Sequence, residues 1–171
     1  IHNSAGVKAA AALGFRRVIL ERQLSMEELR SIAADSPLEL EVFVHGSLCC
    51  SLSGRCLLSS SQGGWSGNRG KCRQPCRRRF EGGGRTGFLL SPRDLYGVEL
   101  LPELRRIGVA SLKIEGRLRS PDYVWKTVRA YRLLLDGPVD PPAERLEEAE
   151  RLLSGEDAFL LERGEPLLSE L

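Results

Sequence analysis

The chain has 171 residues, of which 42% are apolar and 28% are charged. This composition is typical of a globular protein in water, and the length allows one domain with its own hydrophobic core. No apolar run is long enough to cross a membrane, and no signal peptide is visible. Because Ile1 reads as part of a folded segment, we expect the chain to be a fragment or an excised domain.

The net charge of +2 conceals two oppositely charged segments. Residues 55–93 contain nine Lys or Arg side chains and one acidic residue, Glu81, whereas residues 136–171 contain eleven acidic residues and three arginines. The basic segment favours binding to phosphates, an anionic substrate or nucleic acid. A solvated loop is the alternative for the basic segment, and a solvated helix face is expected for the acidic one.

Apolar periodicity in the first part of the chain alternates between helices and short strands. Ser25 is followed three residues later by Glu28, which is the signature of a capping box at the start of a helix. The predicted elements are a helix over 4–13, a strand over 17–20, a helix from 25 to about 34 and a strand over 38–44.

The rest of the chain has no clear periodicity until about residue 85. The elements predicted after it are a strand over 87–90, a helix over 95–107, a strand over 109–114, a helix over 120–135 and a helix over 142–153. This order predicts an α/β fold with a parallel sheet and with functional residues on loops after the strands. Since a closed eight-stranded barrel needs roughly 250 residues, the four predicted strands are enough for half of one.

All five cysteines lie in one glycine- and arginine-rich stretch that ends at Cys76. Clustered thiols among flexible glycines are typical of a metal site. Six residues separate Cys49 from Cys56, whereas paired zinc ligands usually lie about two to four residues apart; three residues separate Cys72 from Cys76. An iron–sulfur cluster on these four thiolates is therefore favoured, and structural zinc or free thiols are the alternatives.

Cys50 is expected to be a bystander, because adjacent residues on an extended backbone point to opposite sides. Arg73 and Arg77 lie beside the later cysteines, where their charge would offset that of thiolate ligands. Clustered thiols without a secretory signal indicate a reduced, cytoplasmic compartment.

His45 ends the predicted strand 38–44, at the position where a parallel α/β fold carries its chemistry. It is a candidate general base or substrate ligand, and a structural histidine bound to a backbone carbonyl is the alternative. The period of two in a strand predicts that Glu41, a candidate substrate contact, lies on the same face as His45, with Phe43 between them.

Three charged side chains, Lys113, Glu115 and Arg117, alternate at the end of the predicted strand 109–114. Their spacing predicts one shared face and favours a site for an anion with acid–base chemistry. A structural network of salt bridges is the alternative. Asp94 is expected to cap the helix predicted from residue 95.

Trp65 stands in the glycine-rich loop near Arg69 and Lys71, where it could stack on a base or an aromatic substrate. We therefore count Arg69 among the candidate substrate-binding residues. Three aromatic residues of the predicted helix 120–135 are expected to pack in the core: Tyr123, Trp125 and Tyr131.

The segment EVFVHGSLCCSLSGRCLLS follows the pattern E-x-F-x-H-G-(A/S)-x-C-x6-C-x-x-S. This pattern is similar to the signature of the collagenase-like peptidases of unassigned catalytic type, peptidase family U, number thirty-two. Three further blocks resemble the same family: NRGKCRQPCR, FLLSPRDL and GVASLKIEGRLRSPDYV. With the opening HNSAGVKAAAALGFRRVILERQLS, the resemblance covers roughly residues 1–137.

The resemblance implies a TIM-barrel-like catalytic domain, with residues 1–137 as its second half and residues 46–86 as an inserted cysteine-rich metal loop. The family segment that precedes His2 is absent, and the sequence from Asp157 onward departs from the family pattern. Residues 138–171 would then begin a diverged or truncated C-terminal region. The resemblance also implies a four-iron, four-sulfide (4Fe–4S) cluster, with zinc as the alternative, at four ligand positions: Cys49, Cys56, Cys72 and Cys76.

Members of this family resemble factors for oxygen-independent hydroxylation of a tRNA uridine, a ribosomal RNA cytidine or ubiquinone precursors, with prephenate implicated as hydroxyl donor. We expect a protein that supports hydroxylation of a base in tRNA or rRNA, with no membrane partner. Lys113 and Arg117 would bind a carboxylate donor such as prephenate, and His45 or Glu115 would move protons. The alternatives are a peptidase, a ubiquinone-precursor hydroxylation factor and a non-enzymatic, metal-stabilised RNA-binding module.

Overall fold

A computed structural model describes residues 1–154 of the chain, which fall into two compact units. The sheet unit consists of Ile1–Gly46 and residues 95–154, and the cysteine unit consists of Ser47–Asp94. The predicted acidic segment 138–171 lies within the described residues only as far as residue 154.

Helices and strands alternate along the sheet unit, and short elements fill the cysteine unit. The elements are, in chain order, α1 (Ser4–Ala12), β1 (Arg17–Ile19), α2 (Met26–Ala34), β2 (Glu39–Gly46), α3 (Leu58–Ser61), β3 (Phe80–Gly82), β4 (Arg85–Gly87), β5 (Leu95–Tyr96), α4 (Leu101–Arg106), β6 (Ser111–Glu115), α5 (Pro121–Leu135) and α6 (Ala143–Leu153). Single 3-10 turns occupy Gly67–Arg69, Pro75–Arg77 and Val98–Leu100.

Side-chain caps define where α1, α2 and α5 begin, and they explain why the sequence predicts these three helices well. The helices predicted over 4–13, 25–34, 120–135 and 142–153 are confirmed to within one residue at each end. The capping box is present: Ser25 Oγ accepts from the Glu28 backbone N at 3.2 Å, and the Glu28 carboxylate accepts from the Ser25 backbone N at 2.7 Å. The second contact lowers the pKa of Glu28, so its stabilising contribution is present above the ordinary carboxyl pKa and is lost as the pH falls through the lowered value.

The sheet is organised around β2, which pairs in parallel with β1 and with β6. The register places Val18 opposite Leu40 and Val42 opposite Leu112. At its end β2 also pairs antiparallel with β5, through His45 and Tyr96. Because β6 occupies one edge of β2 at His45, β5 must continue the opposite edge beyond the end of β1. The predicted α/β class with parallel strands is confirmed, and the half-barrel stays a prediction.

Two predicted elements of the middle region are wrong. The strand predicted over 87–90 is instead the end of a hairpin, in which β4 pairs antiparallel with β3 inside the cysteine unit. Gly83 and Gly84, with φ of 58° and 75°, form the tight turn that this hairpin needs. The helix predicted from residue 95 begins only at Leu101, because Leu95 and Tyr96 pair with β2.

The two faces of the sheet differ in polarity. Leu40, Val42 and Val44 of β2 are almost fully buried and belong to the hydrophobic core of the sheet unit. Helix residues of the same core cluster come mainly from α1, α2, α4 and α5: Val7, Ala10, Leu29, Ile32, Leu101, Leu104, Ala130, Tyr131 and Leu134. The alternate residues of β2, Glu39, Glu41 and Phe43, are more exposed, so one face carries the core and the other carries charge.

Replacing Ser25 tests whether its side-chain cap at the start of α2 contributes to the stability of the protein. We expect Ser25→Ala to lower the free energy of unfolding by about 1 kcal/mol, because the Glu28 backbone N–H loses its acceptor. Urea denaturation of the two proteins measures this difference. Ser31→Ala, at an exposed position inside the same helix, is the matched control and should be neutral or slightly stabilising. Equal stability of the Ser25 variant and the wild type would contradict the role of the cap.

Candidate functional site

The charged face of the sheet brings together side chains from three strands and one loop. Lys113 Nζ lies 3.2 Å from the Glu41 carboxylate, and Arg17 reaches the same carboxylate at 3.6 Å. The Glu41 side chain keeps only 15% of its exposure, so this pairing takes place in a partly desolvated setting. The register explains this contact: Phe43 lies directly opposite Lys113, and Glu41 precedes Phe43 by two residues on the same face of β2.

A second ion pair on this face joins Arg22 to Glu115. Arg22 Nη2 lies 2.7 Å from Glu115 Oε2, and the two side chains keep 20% and 10% of their exposure. The Arg22 guanidinium also stacks over the Phe43 ring, 3.8 Å from its centre, and Lys113 Nζ lies 5.4 Å from the same ring. The Phe43 ring is therefore contacted by two cations, each held by a carboxylate.

Sequence reasoning missed Arg22. The feature of the sequence that could have identified it is its position in the loop after β1, because parallel α/β folds carry functional groups on the loops that follow their strands. The interpretation of Lys113 and Glu115 as a salt-bridge network is consistent with these contacts, since both charges are paired. Pairing does not decide their role in function, which stays a prediction.

Arg117 does not share this arrangement. Its backbone N donates to Glu115 Oε1 at 3.2 Å, and its side chain is exposed beyond the end of β6. Within residues 1–154 its guanidinium takes part in no ion pair. The predicted alternation of three charges therefore holds for Lys113 and Glu115, and it ends where the strand ends.

His45 lies on the other face of the sheet, so the prediction that it shares a face with Glu41 is wrong. The register between β2 and β6 pairs Phe43 with Lys113 but His45 with Ile114, which leaves Val44 as an extra residue in a β-bulge. Ile114 packs against the core, and His45 is only 3% exposed. The bulge shifts the alternation by one residue, and the imidazole turns into the core.

Three tyrosine rings surround the buried imidazole: those of Tyr96, Tyr123 and Tyr131, with centroids 5.5 to 6.0 Å away. Tyr123 and Tyr131 are themselves buried, which confirms them as packing residues. Trp125 is 55% exposed, so its predicted place in the core is wrong. It lies on the outward face of α5, two residues from the buried Tyr123 and from the buried Thr127.

The Tyr131 hydroxyl defines the proton position on His45. Tyr131 Oη donates to the Val44 carbonyl oxygen at 2.8 Å and accepts from the Gly97 backbone N at 3.3 Å. His45 Nδ1 lies 3.2 Å from the same hydroxyl oxygen. Burial raises the pKa of the Tyr131 phenol, so it stays protonated, with its only proton directed at Val44. His45 Nδ1 is therefore the donor in its contact with the Tyr131 hydroxyl oxygen.

Gly97 is required for this network by a close backbone approach. A Cβ atom at Gly97 would lie 2.5 Å from the Val44 carbonyl oxygen, the same oxygen that accepts from Tyr131. Gly46 meets a similar limit, since a Cβ there would lie 2.5 Å from the Glu115 carbonyl oxygen. Gly46 and Gly97 thus allow the backbone of β6 and the segment after β5 to approach the end of β2 closely.

The cysteine unit brings the thiols of Cys49, Cys50 and Cys76 near enough to influence one another's ionisation. The pKa of the Cys76 thiol is raised to about 12, first by burial and then by the neighbouring thiols of Cys50 and Cys49, while the Arg77 guanidinium lowers it. Because Cys50 is the neighbouring thiol with the larger effect on Cys76, the expectation that it points away from the other thiols is wrong. The chain bends at Cys50 and Ser51, and the alternation of an extended strand does not apply there.

These thiols fit a thiophilic metal in part. Gathered thiols disfavour each other's thiolate forms, and a bound cation relieves that repulsion. The Cys72 sulfur accepts from the Gln74 backbone N at 3.3 Å, and Cys56 is half-buried. Across residues 1–154, no group of three or more Cys, His, Asp or Glu side chains is arranged to hold a metal ion. The four-thiolate ligand set therefore stays a prediction.

Arg77 ties together the two ends of the cysteine unit. Its guanidinium lies 2.7 Å from the Asp94 carboxylate and donates to the Leu48 carbonyl oxygen at 2.9 Å. The Asp94 side chain is only 2% exposed, so this ion pair is buried. The expectation that Asp94 caps the following helix is wrong, because that helix begins later and the carboxylate binds Arg77 instead.

Comparison with known proteins places this chain in a family. Residues 1–158 match the family described as Peptidase family U32. The chain is 41% identical over 141 residues to an uncharacterized protease of Methanocaldococcus jannaschii, an alignment that covers 73% of the chain and 34% of that protein. The chain therefore belongs to peptidase family U32, as its sequence blocks predict.

Two other similar proteins carry names that refer to RNA. A tRNA hydroxylation protein of Bacillus subtilis is 34% identical over 172 residues, covering 90% of the chain and 41% of that protein. A 23S rRNA 5-hydroxycytidine synthase of Escherichia coli is 36% identical over 140 residues, covering 78% of the chain and 21% of that protein. The chain thus spans between a fifth and two fifths of these relatives. No solved structure matches it.

None of the helices within residues 1–154 combines the length and the apolar composition that crossing a bilayer requires.

The Tyr131 hydroxyl provides a test of the His45 network. We expect Tyr131→Phe to lower the free energy of unfolding by about 1 to 3 kcal/mol, because buried groups of Val44, Gly97 and His45 lose their partner. Chemical denaturation measures this loss. The control is Tyr96→Phe, whose phenol makes no hydrogen bond within residues 1–154 and whose loss should cost less than about 0.5 kcal/mol. Equal effects of the two substitutions would contradict the network.

Proposed function

We propose that this protein supports the oxygen-independent hydroxylation of a base in tRNA or rRNA. The observation that carries the proposal is the cysteine unit, in which gathered thiols and a dense set of exposed cations occupy the same compact unit. The names of the Bacillus subtilis and Escherichia coli relatives support the same reaction class. Neither a peptide substrate nor a quinone precursor accounts for the cations as directly as RNA phosphates do.

RNA would bind through cations that the protein itself leaves unneutralised. Within the described residues, five side chains of this unit take part in no ion pair: Arg55, Arg69, Lys71, Arg78 and Arg79. All five are exposed. Phosphates attract such side chains without regard to sequence, and each contact releases counterions. We therefore assign Arg69 to the proposed RNA-binding surface rather than to a site for a small substrate.

An iron–sulfur cluster on Cys49, Cys56, Cys72 and Cys76 is part of this proposal. Replacing a C–H bond of the base by C–OH removes two electrons, which the hydroxyl donor would accept as its own C–O bond breaks and is replaced by C–H; a cluster held by these thiolates would supply electron transfer between the two. Burial raises the pKa of Cys76, and the Arg77 guanidinium opposes that rise, as a bound metal ion would. Zinc on the same thiols would hold the unit together without redox chemistry.

The charged face is the proposed site for a carboxylate-bearing hydroxyl donor such as prephenate. A ring of the donor would lie against Phe43, and its carboxylates would pair with Lys113 and Arg22, which already flank that ring. Arg117, exposed beyond the end of β6, would add a third cation. Binding the donor would require a carboxylate to replace Glu41 at Lys113, where the two side chains now lie 3.2 Å apart.

Two groups of the sheet unit are candidates for proton transfer. Glu115 is buried to 8% exposure and is held by Arg22 and by the Arg117 backbone N. Because its carboxylate lies on the same face as Lys113, we assign it the proton-transfer role near the donor. His45 lies on the core face, so its role is to hold the end of β2 and the Tyr131 network in place.

A peptidase is the second candidate function, because the Methanocaldococcus jannaschii relative is named a protease. In that case a polarised water or a nucleophile would be needed beside a general base. The His45 imidazole is the candidate general base, but it is only 3% exposed and lies among three tyrosine rings. Peptide cleavage that is lost in His45→Gln and kept after removal of metal would favour this second function.

Hydroxylation in cells tests the proposed function. We expect the full-length protein to restore a hydroxylated uridine or cytidine when it is expressed, without oxygen, in bacteria that lack their own family U32 hydroxylation proteins. Nucleoside mass spectrometry of purified tRNA and rRNA measures the added oxygen atom. Glu115→Gln should abolish the signal, whereas Glu103→Gln, on the outer helix α4, should not. Unmodified RNA in every sample, together with peptide cleavage in the same extracts, would favour the peptidase.

The RNA surface can be tested by salt dependence. The logarithm of the affinity for single-stranded RNA should fall linearly with the logarithm of salt concentration, by about 0.7 per phosphate contact. The double variant Arg78→Ala with Arg79→Ala should reduce this slope by about 1.4 if both side chains contact phosphates. The double variant Arg30→Ala with Arg106→Ala, which removes equal charge from the sheet unit, should leave the slope unchanged. Binding that does not weaken with salt would contradict the assignment.

The donor site makes a separate prediction. We expect Lys113→Met to weaken binding of prephenate by roughly 10-fold or more, because a charge-assisted hydrogen bond is lost. Isothermal titration calorimetry of the full-length protein measures the affinity. Lys8→Met, at an exposed position of α1, is the matched control. The same affinity in the two variants would show that the donor does not bind at Lys113.

A further inference from the structure

Trp65 and Arg73 form an exposed stack in the cysteine unit. The Arg73 guanidinium carbon lies 3.7 Å from the centre of the indole ring, and Trp65 still keeps 38% of its exposure. Since the guanidinium covers one face of the ring, the remaining exposure belongs to the other face and to the edges. A large apolar ring left on the surface in this way contributes little to a core.

Local contacts fix the backbone on which each member of the stack stands. The Arg73 backbone N donates to Ser59 Oγ at 3.1 Å, and Ser59 is buried within α3. The chain then turns after α3 through a bond from the Gly64 backbone N to the Ser60 carbonyl oxygen at 2.7 Å. A Cβ atom at Gly63 would lie 3.2 Å from Trp65 Nε1, so the indole edge rests against this turn. The ring and the guanidinium are therefore positioned before any ligand arrives.

The stack lies within a stretch of free positive charge. Arg69 and Lys71 precede Arg73 in the sequence, and neither forms an ion pair within the described residues. Charge alone would attract any polyanion, including an acidic peptide or a duplex. A preformed aromatic stack adds a preference that charge does not give, because it binds the flat face of an unpaired base.

We infer that Trp65 and Arg73 form a stacking platform for an unpaired base of an RNA strand whose phosphates contact the neighbouring cations. The inference rests on the proposed function and names the part of the RNA that this surface recognises. A base inside a duplex cannot offer its face, so the platform selects single-stranded loops or ends. Recognition of this kind tolerates all four bases, since each has a π face.

The two tryptophans of the chain allow a direct measurement. The sequence contains only Trp65 and Trp125, so Trp125→Phe leaves Trp65 as the single indole fluorophore. We expect its emission to be quenched when single-stranded oligouridine is added to the full-length protein. A duplex of equal length should bind through the cations with little change in emission. Binding of oligouridine without any change in Trp65 emission would overturn the inference and leave RNA binding intact.

Affinity provides a second, independent readout. Trp65→Ala should weaken binding of oligouridine by roughly 5- to 100-fold, with the slope of affinity against salt unchanged, because stacking is lost and no phosphate contact is. Trp65→Phe keeps a ring and should retain most of the affinity. The matched control is Trp125→Ala, which removes an exposed indole with Arg129 5.1 Å from its ring centre, in the sheet unit.

The outcomes separate the inference from the function on which it rests. Equal affinities of Trp65→Ala and Trp125→Ala for oligouridine would overturn the platform alone. An equal effect of Trp65→Ala on single-stranded and duplex RNA would also overturn it, because a stacking surface must prefer an unpaired base. Absence of RNA binding by the wild-type protein at low salt would overturn the proposed function and the platform together.

Discussion

Backbone pairing along β2 is the constraint on which the sheet unit depends. One strand pairs in parallel on both sides and then accepts β5 at its end, so its register fixes the neighbours of every residue from Glu39 to Gly46. Strand alternation places Glu41 and Phe43 on the charged face. The bulge at Val44 then turns His45 to the core face. A single extra residue thereby separates a candidate ligand surface from a buried tyrosine–histidine network.

The cysteine unit depends on a different kind of interaction. The buried ion pair between Arg77 and Asp94, with the bond from Arg77 to the Leu48 carbonyl oxygen, joins both ends of a segment that has little regular secondary structure. Such a pair is costly to break from one side, because the remaining charge stays buried. Burial and the neighbouring thiols raise the pKa of Cys76, and the same guanidinium opposes that rise, so Arg77 contacts both the ends of the unit and its thiol cluster.

Capping residues and apolar periodicity predict helices and strands from the sequence, but they do not predict contacts between residues far apart in the chain. The capping box at Ser25 and the Ser120-Pro121 start define helices because their hydrogen bonds span three residues. The pairing of Arg22 with Glu115 spans 93 residues, and no periodicity encodes it. The β-bulge reversed the predicted face of His45, and tertiary pairing converted the predicted start of a helix into β5. The family blocks identified the candidate site residues, while only the register showed which of them lie together.

We propose that the cysteine unit carries a redox cluster that serves RNA hydroxylation. The most direct test is the iron, sulfide and zinc content of the anaerobically purified full-length protein, with its visible spectrum, in wild type and in single Cys→Ala variants at all five positions. We expect about four irons and four sulfides per chain. The cluster should be lost when Cys49, Cys56, Cys72 or Cys76 is replaced, and it should be kept in Cys50→Ala. Stoichiometric zinc, or a cluster that survives both Cys56→Ala and Cys72→Ala, would contradict the proposal.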